Sequence, residues 1–298
     1  MTKPSILIMC GLPASGKTTR AKEWVAEDPD HRVRINYDDL RIELYGKDWK
    51  FNRVEEEAMK EVALDRAAKA LDEGKSIVID NTNLTPWVRQ KWITFAASYG
   101  IVAEVWEAPT DIWECIERDS KREGKARVGR AVIERMALFN GFIDWNDKEI
   151  YNPDCRFVIF DIDGTLADTS HRAHYMQQKP KNWKSFFDEC HLDPVKEPIK
   201  YLLEDFQSLD YVIIIVSGRP IDSCGVKTED WLKENDLHPI HLFMRQGGDH
   251  RSDVIVKQEI LDLLPKDRIA YVLDDRDVVV EMWRRNGLTC LQVAKGDF

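Results

Sequence analysis

No apolar run in this chain of 298 residues approaches the ~20 residues that a membrane-spanning helix needs. Cysteine is sparse. The six lie at positions 10, 115, 155, 190, 224 and 290 with no CxxC pair, which excludes a disulfide framework and a zinc ribbon. Seven histidines show no metal-ligand spacing. There is no internal repeat, no low-complexity tract and no separate nucleic-acid-binding module. The stretch MTKPSILIMCGLP lacks a signal-peptide layout, because a glycine-bearing loop interrupts its apolar residues at once. A reducing, cytoplasmic setting is the expectation. Basic residues are also in deficit: 43 Lys and Arg against 53 Asp and Glu leave a net charge of −10, which argues against a broad polyanion-binding face. One segment departs from that balance. Arg118, Lys121, Arg122, Lys125, Arg127, Arg130 and Arg135 crowd into a short stretch with Asp119, Glu123 and Glu134 as its acidic residues.

A hydrophobic content of 43% with 32% charge describes a globular chain, and its length predicts two domains. Short apolar runs alternate with helical stretches throughout, the pattern of βαβ units and parallel sheets, so the fold class is α/β. SILIMC, VRIN, SIVID and VAEVW read as buried strands of the first half, and RFVIF, YVIIIV, IHLFM and AYVLD as those of the second. A helix is expected over Val54–Glu73, with Val54, Ala58, Leu64, Ala67 and Leu71 inward and Gly74 as its stop. DWNDKEIYNPDCR breaks both periods, with Asn152-Pro153 as a turn signal. This places a boundary near residues 148–155 and domains at 1–150 and 151–298.

Gly11-Leu12-Pro13-Ala14-Ser15-Gly16-Lys17-Thr18 satisfies G-x4-G-K-[ST] between an apolar strand and a helix expected over Lys17–Glu27. Such a loop turns backbone N–H groups onto a polyphosphate at a helix N-terminus. Gly11, Ser15 and Gly16 would form the cradle, Lys17 would reach the β- and γ-phosphates of ATP, and the Thr18 hydroxyl would hold Mg²⁺. The strand over Val33–Asn36 runs into Tyr37-Asp38-Asp39-Leu40-Arg41. Asp38 and Arg41, three apart on one helix face, suit a base for an attacking hydroxyl and an anion holder; an N-capping aspartate with a surface arginine fits the same spacing. Ser76–Asp80 followed by Asn81 is a Walker-B-like strand end. The segment Arg118–Arg135 is either a lid over the transferring phosphate or a solvated helix face. Trp87 and Trp92, interleaved with Arg89 and Lys91, are expected to pack in the core or at its rim rather than to stack bases.

In the second half, the strand Phe157–Phe160 leads into Asp161-Ile162-Asp163-Gly164-Thr165, identified as the D-x-D-G-T of the haloacid dehalogenase superfamily. Two carboxylates at i and i+2 divide one reaction between them. Asp161 attacks phosphorus, and Asp163 protonates the leaving oxygen and then activates water. Ser217-Gly218-Arg219 follows an apolar strand and would bind phosphoryl oxygens. Lys257 would neutralise charge between nucleophile and phosphate. Asp274 and Asp275 would complete an Mg²⁺ site with Asp161 and the main-chain carbonyl of Asp163.

A kinase and a phosphatase on one chain avoid a futile cycle if they act on different phosphates of one substrate, such as the two ends of a broken strand. A metabolite kinase fused to a metabolite phosphatase is the alternative. The order of these motifs, with YDDLR, NTNL, SKR, DIDGTL, VSGR and the terminal VEMWRRNGLTCLQVAKGDF, resembles the bacteriophage-type polynucleotide 5′-kinase/3′-phosphatase family from Ile6 to Phe298. That resemblance implies an N-terminal P-loop kinase fold and a C-terminal Rossmann-like phosphatase fold with a small cap. It implies Asp38 as general base, Arg41 on the acceptor phosphate, and Arg122 as lid arginine on ATP with Arg118 beside it. Asp161 becomes the nucleophile, Asp163 the acid/base, and Asp275 with Asp274 the metal ligands. Ser217, Gly218, Arg219, Lys257, Arg172 and Arg245 would contact or support the substrate phosphate, with Asp253 among the supports. RNA or DNA ends are the implied substrates, a nucleic-acid ligase the implied partner and a homotetramer the implied assembly. Two stretches depart from the family. Its strand end before TNL is Ser-Asp where this chain has Asp80-Asn81, and a one-residue shift turns a strand carboxylate to the other face. Pro180–Pro198 aligns poorly, so Asp193 receives no role.

Overall fold

Two all-parallel sheets carry the chain in a computed structural model that describes residues 3–49, 52–148, 150–152 and 154–296. The chain divides by packing into two units, Met1–Arg118 and Asp119–Phe298.

In the first unit β1 (Ile6–Cys10), β2 (Arg32–Ile35), β3 (Ser76–Ile79) and β4 (Glu104–Glu107) lie in the order β2-β3-β1-β4. β1 is the switch point, with the chain leaving to one side through β3 and β2 and to the other through β4, and ligands bind at such points in open parallel sheets. β1 and β3 are apolar because parallel strands are covered on both faces. β4 departs from the expected burial. Three of its four residues are exposed because it forms the sheet's edge. The helices are α1 (Lys17–Ala26), α2 (Tyr37–Tyr45), α3 (Arg53–Asp72), α4 (Pro86–Ser98) and α5 (Ile112–Ser120). α3 has the expected length, and Ala67 and Leu71 are buried as expected with Leu64 packed against the core. Met59, Ala63 and Ala70 complete the buried stripe, while Val54 is 78% exposed and Ala58 faces solvent. Small side chains allow close approach to the sheet, and the larger Val54 sits one turn too early to reach it.

The second unit orders its strands β7-β6-β5-β8-β9: β5 (Phe157–Phe160), β6 (Val212–Pro220), β7 (His241–Arg245), β8 (Ile269–Arg276) and β9 (Cys290–Gly296). β5 is fully buried at the centre. β6 and β8 run past their apolar stretches, so Ser217-Gly218-Arg219 and Asp274-Asp275 end up at the carboxyl edge beside Asp161. The helices are α6 (Arg130–Phe139), α7 (Trp183–Asp188), α8 (Glu197–Ser208), α9 (Ile221–Glu234), α10 (Asp253–Leu261) and α11 (Asp277–Arg285). A small cap is inserted between β5 and β6: a 3₁₀ turn over Ser170–Tyr175, then α7.

The packing boundary falls well before the one expected near residues 148–155. α6 belongs to the second unit because Glu134, buried on α6, accepts hydrogen bonds from Leu242 N (2.8 Å) and pairs with His241 (3.1 Å) on β7. Arg135 donates to Met244 O at 2.9 Å. Pro153 of the expected turn lies outside the described residues.

Candidate active sites

In the first unit the loop after β1 closes around its own lysine. Lys17 Nζ donates to Leu12 O (2.6 Å) and Ser15 Oγ (3.2 Å), and its side chain is buried. Gly11 has φ +154°, and a Cβ there would stand 2.8 Å from both Ala108 Cβ and Ser15 Oγ, so no side chain fits. Thr18 Oγ1 donates to Asp80 Oδ1 at 3.3 Å. Asp80 is thus beside the loop threonine despite the one-residue shift that spoke against it. It is buried at the end of β3, with Arg34 Nε donating to Oδ2 at 2.6 Å and Asn36 bonded to its carbonyl. Asn81 takes the other face, where its Oδ1 accepts from Tyr37 N at 3.0 Å and fixes the start of α2.

Asn36, not Asp38, caps α2, accepting from Asp39 N. Asp38 is therefore left 82% exposed, with Arg41 paired to it at 2.5 Å. Arg41 is held from behind by Glu56, which accepts from Nε and Nη2 at 2.9 and 2.7 Å. A bidentate carboxylate keeps the guanidinium extended beside Asp38, where an anion can meet it. Arg118 reaches the loop: its Nη1 is 3.7 Å from where a Cβ on Gly16 would stand. Arg122 falls in the second unit by packing and lies 3.6 Å from Asp119. The basic segment is mostly neither lid nor solvated face. Arg127 pairs with Glu229, Arg130 with Glu134, and Arg135 with β7, all within the second unit. Trp92 is buried in the core, whereas Trp87 is exposed with the Lys91 ammonium 3.9 Å over its ring.

The second unit gathers its reacting groups at the carboxyl edge. Lys257 Nζ sits 2.9 Å from Asp161 Oδ1 and 2.7 Å from Asp274 Oδ2. Trp283 Nε1 also donates to Asp274, at 3.1 Å. Ligating oxygens of Asp161, Asp274 and Asp275 all lie within 4.8 Å of one another, and all three are buried. Burial, opposed by Lys257 and reinforced by Asp274 and Asp275, pushes the Asp161 carboxyl well above the usual range. Burial and Asp274 push Asp275 up to about 6. One ammonium does not neutralise three buried carboxylates, so the donor set fits a hard divalent cation. Gly164 is needed here for space as well as for its turn, since a Cβ would stand 2.2 Å from Asp275 Oδ2.

Asp163 faces a different environment. Burial favours its neutral form, but Arg219 (2.6 and 2.8 Å) and Arg172 (2.6 Å) hold the carboxyl below the usual range. Neither arginine has exposed surface. Arg172, expected to contact or support the substrate phosphate, and Arg219, expected to bind it, also meet at Asp193, a residue that received no role: Asp193 accepts from Arg172 Nε at 2.7 Å and from Arg219 Nη2 at 2.7 Å. Ser217 is buried and accepts from Arg219 N at 3.2 Å. Arg245, bonded to Gly218 O (2.8 Å) and to Asp253, does line the cavity, as do Gly218 and Lys257. That cavity, about 570 Å³, opens over Asp161, Asp163 and Asp275. Arg276 and Trp183 also line it and were not expected from the sequence. For Arg276, adjacency to Asp274-Asp275 was an available signal.

Removing Asp193 leaves two buried guanidiniums sharing Asp163 alone. Asp193→Ala is expected to lower stability by about 3–5 kcal/mol in chemical denaturation of the whole chain, the usual penalty for an uncompensated buried charge. A loss below about 1 kcal/mol would show that the network does not hold the cap in place.

Residues 155–298 match the family described as the polynucleotide kinase PNKP phosphatase domain, and residues 6–139 match an AAA domain. A curated relative, a putative bifunctional polynucleotide kinase/RNA ligase of Autographa californica nuclear polyhedrosis virus, is 27% identical over 94% of this chain. The match takes in 41% of that relative, so this chain spans about two fifths of its length. Among solved structures, a chain of the Pnkp1/Rnl/Hen1 complex is 26% identical, covering 100% of this chain and 99% of that one, with a TM-score of 0.43. A hydrolase from Streptococcus pneumoniae TIGR4 is 17% identical, covering 48% of this chain and 94% of its own, with a TM-score of 0.33. Among the described residues no helix is long and apolar enough to cross a membrane.

Proposed function

We propose, for a chain whose residues 155–298 match the polynucleotide kinase phosphatase domain and whose residues 6–139 match an AAA domain, that it heals broken nucleic-acid ends. One unit transfers phosphate from ATP to a 5′-hydroxyl. The other removes a 3′-phosphate, or opens and removes a 2′,3′-cyclic phosphate, from RNA or DNA. The observation that carries the reading is a complete set of phosphoryl-transfer groups in each unit: Lys17, Thr18 and Asp80 around one loop, and Asp161, Asp163 and Lys257 around one cavity.

In the kinase reaction Asp38 takes the proton of the 5′-hydroxyl, and its exposure leaves it open to an incoming strand end. Arg41, braced by Glu56, binds the neighbouring phosphate of the acceptor. Lys17 and Arg118 hold donor phosphates. Thr18 and Asp80 are the groups that would hold Mg²⁺. If so, Asp80→Asn lowers the rate of 5′-labelling about 10²-fold, the scale of losing one charge-stabilising group, while Asn81→Ala changes it less than about fivefold. The opposite ranking would move the carboxylate role back to position 81.

In the phosphatase, Asp161 attacks phosphorus and Lys257 keeps its carboxylate aimed and partly neutralised. Asp163, held ionised by Arg172 and Arg219, is in the form that takes a proton from water in the second half-reaction. A phosphate entering on the cavity side opposes the two arginines and favours the protonated form that the first half needs. Asp161, Asp274, Asp275 and the Asp163 carbonyl would hold Mg²⁺, which when bound offsets negative charge on the phosphoryl oxygens.

An oligonucleotide bearing a 5′-hydroxyl and a 3′-phosphate tests both halves together. Incubation with ATP and Mg²⁺ is expected to give a 5′-phosphate and a free 3′-hydroxyl on one strand. Reaction confined to small phosphate esters and free nucleosides would overturn the reading. A product with those ends is what a ligase consumes, so a nucleic-acid ligase is the proposed functional partner, acting in the cytoplasm, with a homotetramer as the proposed assembly.

A further inference from the structure

The small cap contributes an aromatic wall that the chemistry above does not use. α7 begins at Asn182, which caps it by accepting from Ser185 N at 3.1 Å. Its first turn presents Trp183 to the cavity with 46% of its surface exposed, stacked on Phe187 at 5.7 Å with the rings 20° apart. Phe186, beneath them, is buried against Arg172, whose guanidinium lies 4.0 Å over the ring and whose Nη1 donates to Phe186 O at 3.0 Å. Arg172 is also bonded to Asp163, so one residue ties the aromatic wall to the reacting carboxylate. Lys184, Arg245, Arg251 and Arg276 also line the cavity, each paired with a carboxylate: Asp188, Asp253, Asp249 with Glu259, and Asp253 again. A half-exposed tryptophan in such a place is costly to leave in water, and its flat face suits another flat apolar surface. This wall also lies in Pro180–Pro198, the stretch where the resemblance to the family lapses.

We infer that Trp183, backed by Phe187, is the stacking platform for the nucleobase of the 3′-terminal nucleotide, and that the phosphatase takes its substrate with that last nucleotide unpaired. This rests on the phosphatase reading above and adds to it the part of the strand that is read. The cavity volume, about 570 Å³, is of the size that holds a small organic ligand, here the terminal nucleotide. Stacking on an aromatic side chain tolerates any base, because every base has a π face. The site therefore selects for a base at the end without selecting which one.

Two oligonucleotides test it, identical except that one carries its 3′-phosphate on a normal terminal nucleotide and the other on an abasic one. For the normal end, Trp183→Ala is expected to raise KM about tenfold or more, with kcat within about twofold, and Trp183→Phe to recover most of the loss. For the abasic end the variants and the parent protein should be indistinguishable, and that rate also serves as the check that Trp183→Ala is folded. An equal loss on both ends would make Trp183 a structural residue and overturn the inference, as would an unchanged KM on the normal end. If the parent protein releases phosphate from neither oligonucleotide, the phosphatase reading itself falls.

Discussion

Asp161→Asn is expected to abolish phosphate release from a 3′-phosphorylated oligonucleotide, with a fall of at least ~10⁴-fold, while 5′-phosphorylation continues at the parent rate. An amide has the shape of the carboxylate but cannot form the acyl phosphate, and losing an attacking group costs on that scale or more. Unfolding is not the cause to expect. The carboxyl is buried among Asp274 and Asp275 and pushed well above its usual range, so replacing it with a neutral group removes repulsion. Lys257 keeps Asp274 at 2.7 Å as its partner. The measurement is inorganic phosphate release under saturating substrate, with unchanged thermal stability as control. Residual activity within a hundredfold of the parent would move the nucleophile elsewhere in the cavity.

Lys17→Met is expected to give the mirror image, a loss of at least ~10³-fold in 5′-phosphorylation with 3′-dephosphorylation unaffected. The ammonium is already drawn into the loop by Leu12 O and Ser15 Oγ, so it waits where the donor phosphates would lie and needs little rearrangement to meet them. A methionine fills the same volume without charge, which keeps the loop packed and confines the loss to electrostatics. Transfer of label from γ-labelled ATP to a 5′-hydroxyl strand reads the effect. If Lys17→Met keeps a tenth of the parent rate, the loop is not the donor site. The two variants mixed together should then restore both end reactions on one strand, since each supplies the half that the other lacks.

Much of this is legible in the sequence. Strand cores such as ILIMC and FVIF are apolar on both faces, a pattern that buried parallel strands require, and both chemical motifs follow directly on such runs. Local signals were weaker where burial depends on neighbours. VAEVW reads as a buried strand, yet the sheet ends there and leaves it exposed. The helix over residues 53–72 has the right period in sequence, but which stripe faces inward depended on how closely alanines let it approach the sheet.

The site shows the same division. Motif spacing by itself determined which residue types could move a phosphoryl group: Lys17 and Thr18 after one strand, Asp161 and Asp163 after another. Those assignments are local, because a loop between a strand and a helix holds its residues in place with its own backbone. Partners distant along the chain were decided only by tertiary structure. Sequence marks Arg172 and Arg219 as residues that contact or support a phosphate, and only the fold shows both buried on Asp163 and Asp193. Strand alternation turns Asp80 away from Thr18, but the strand ends before it and alternation stops there, so the fold places the two side by side. The deficit of positive charge acquires its meaning in the same way. A net charge is a sum over the surface, whereas a cavity lined by a few arginines and one tryptophan depends on which residues folding makes neighbours.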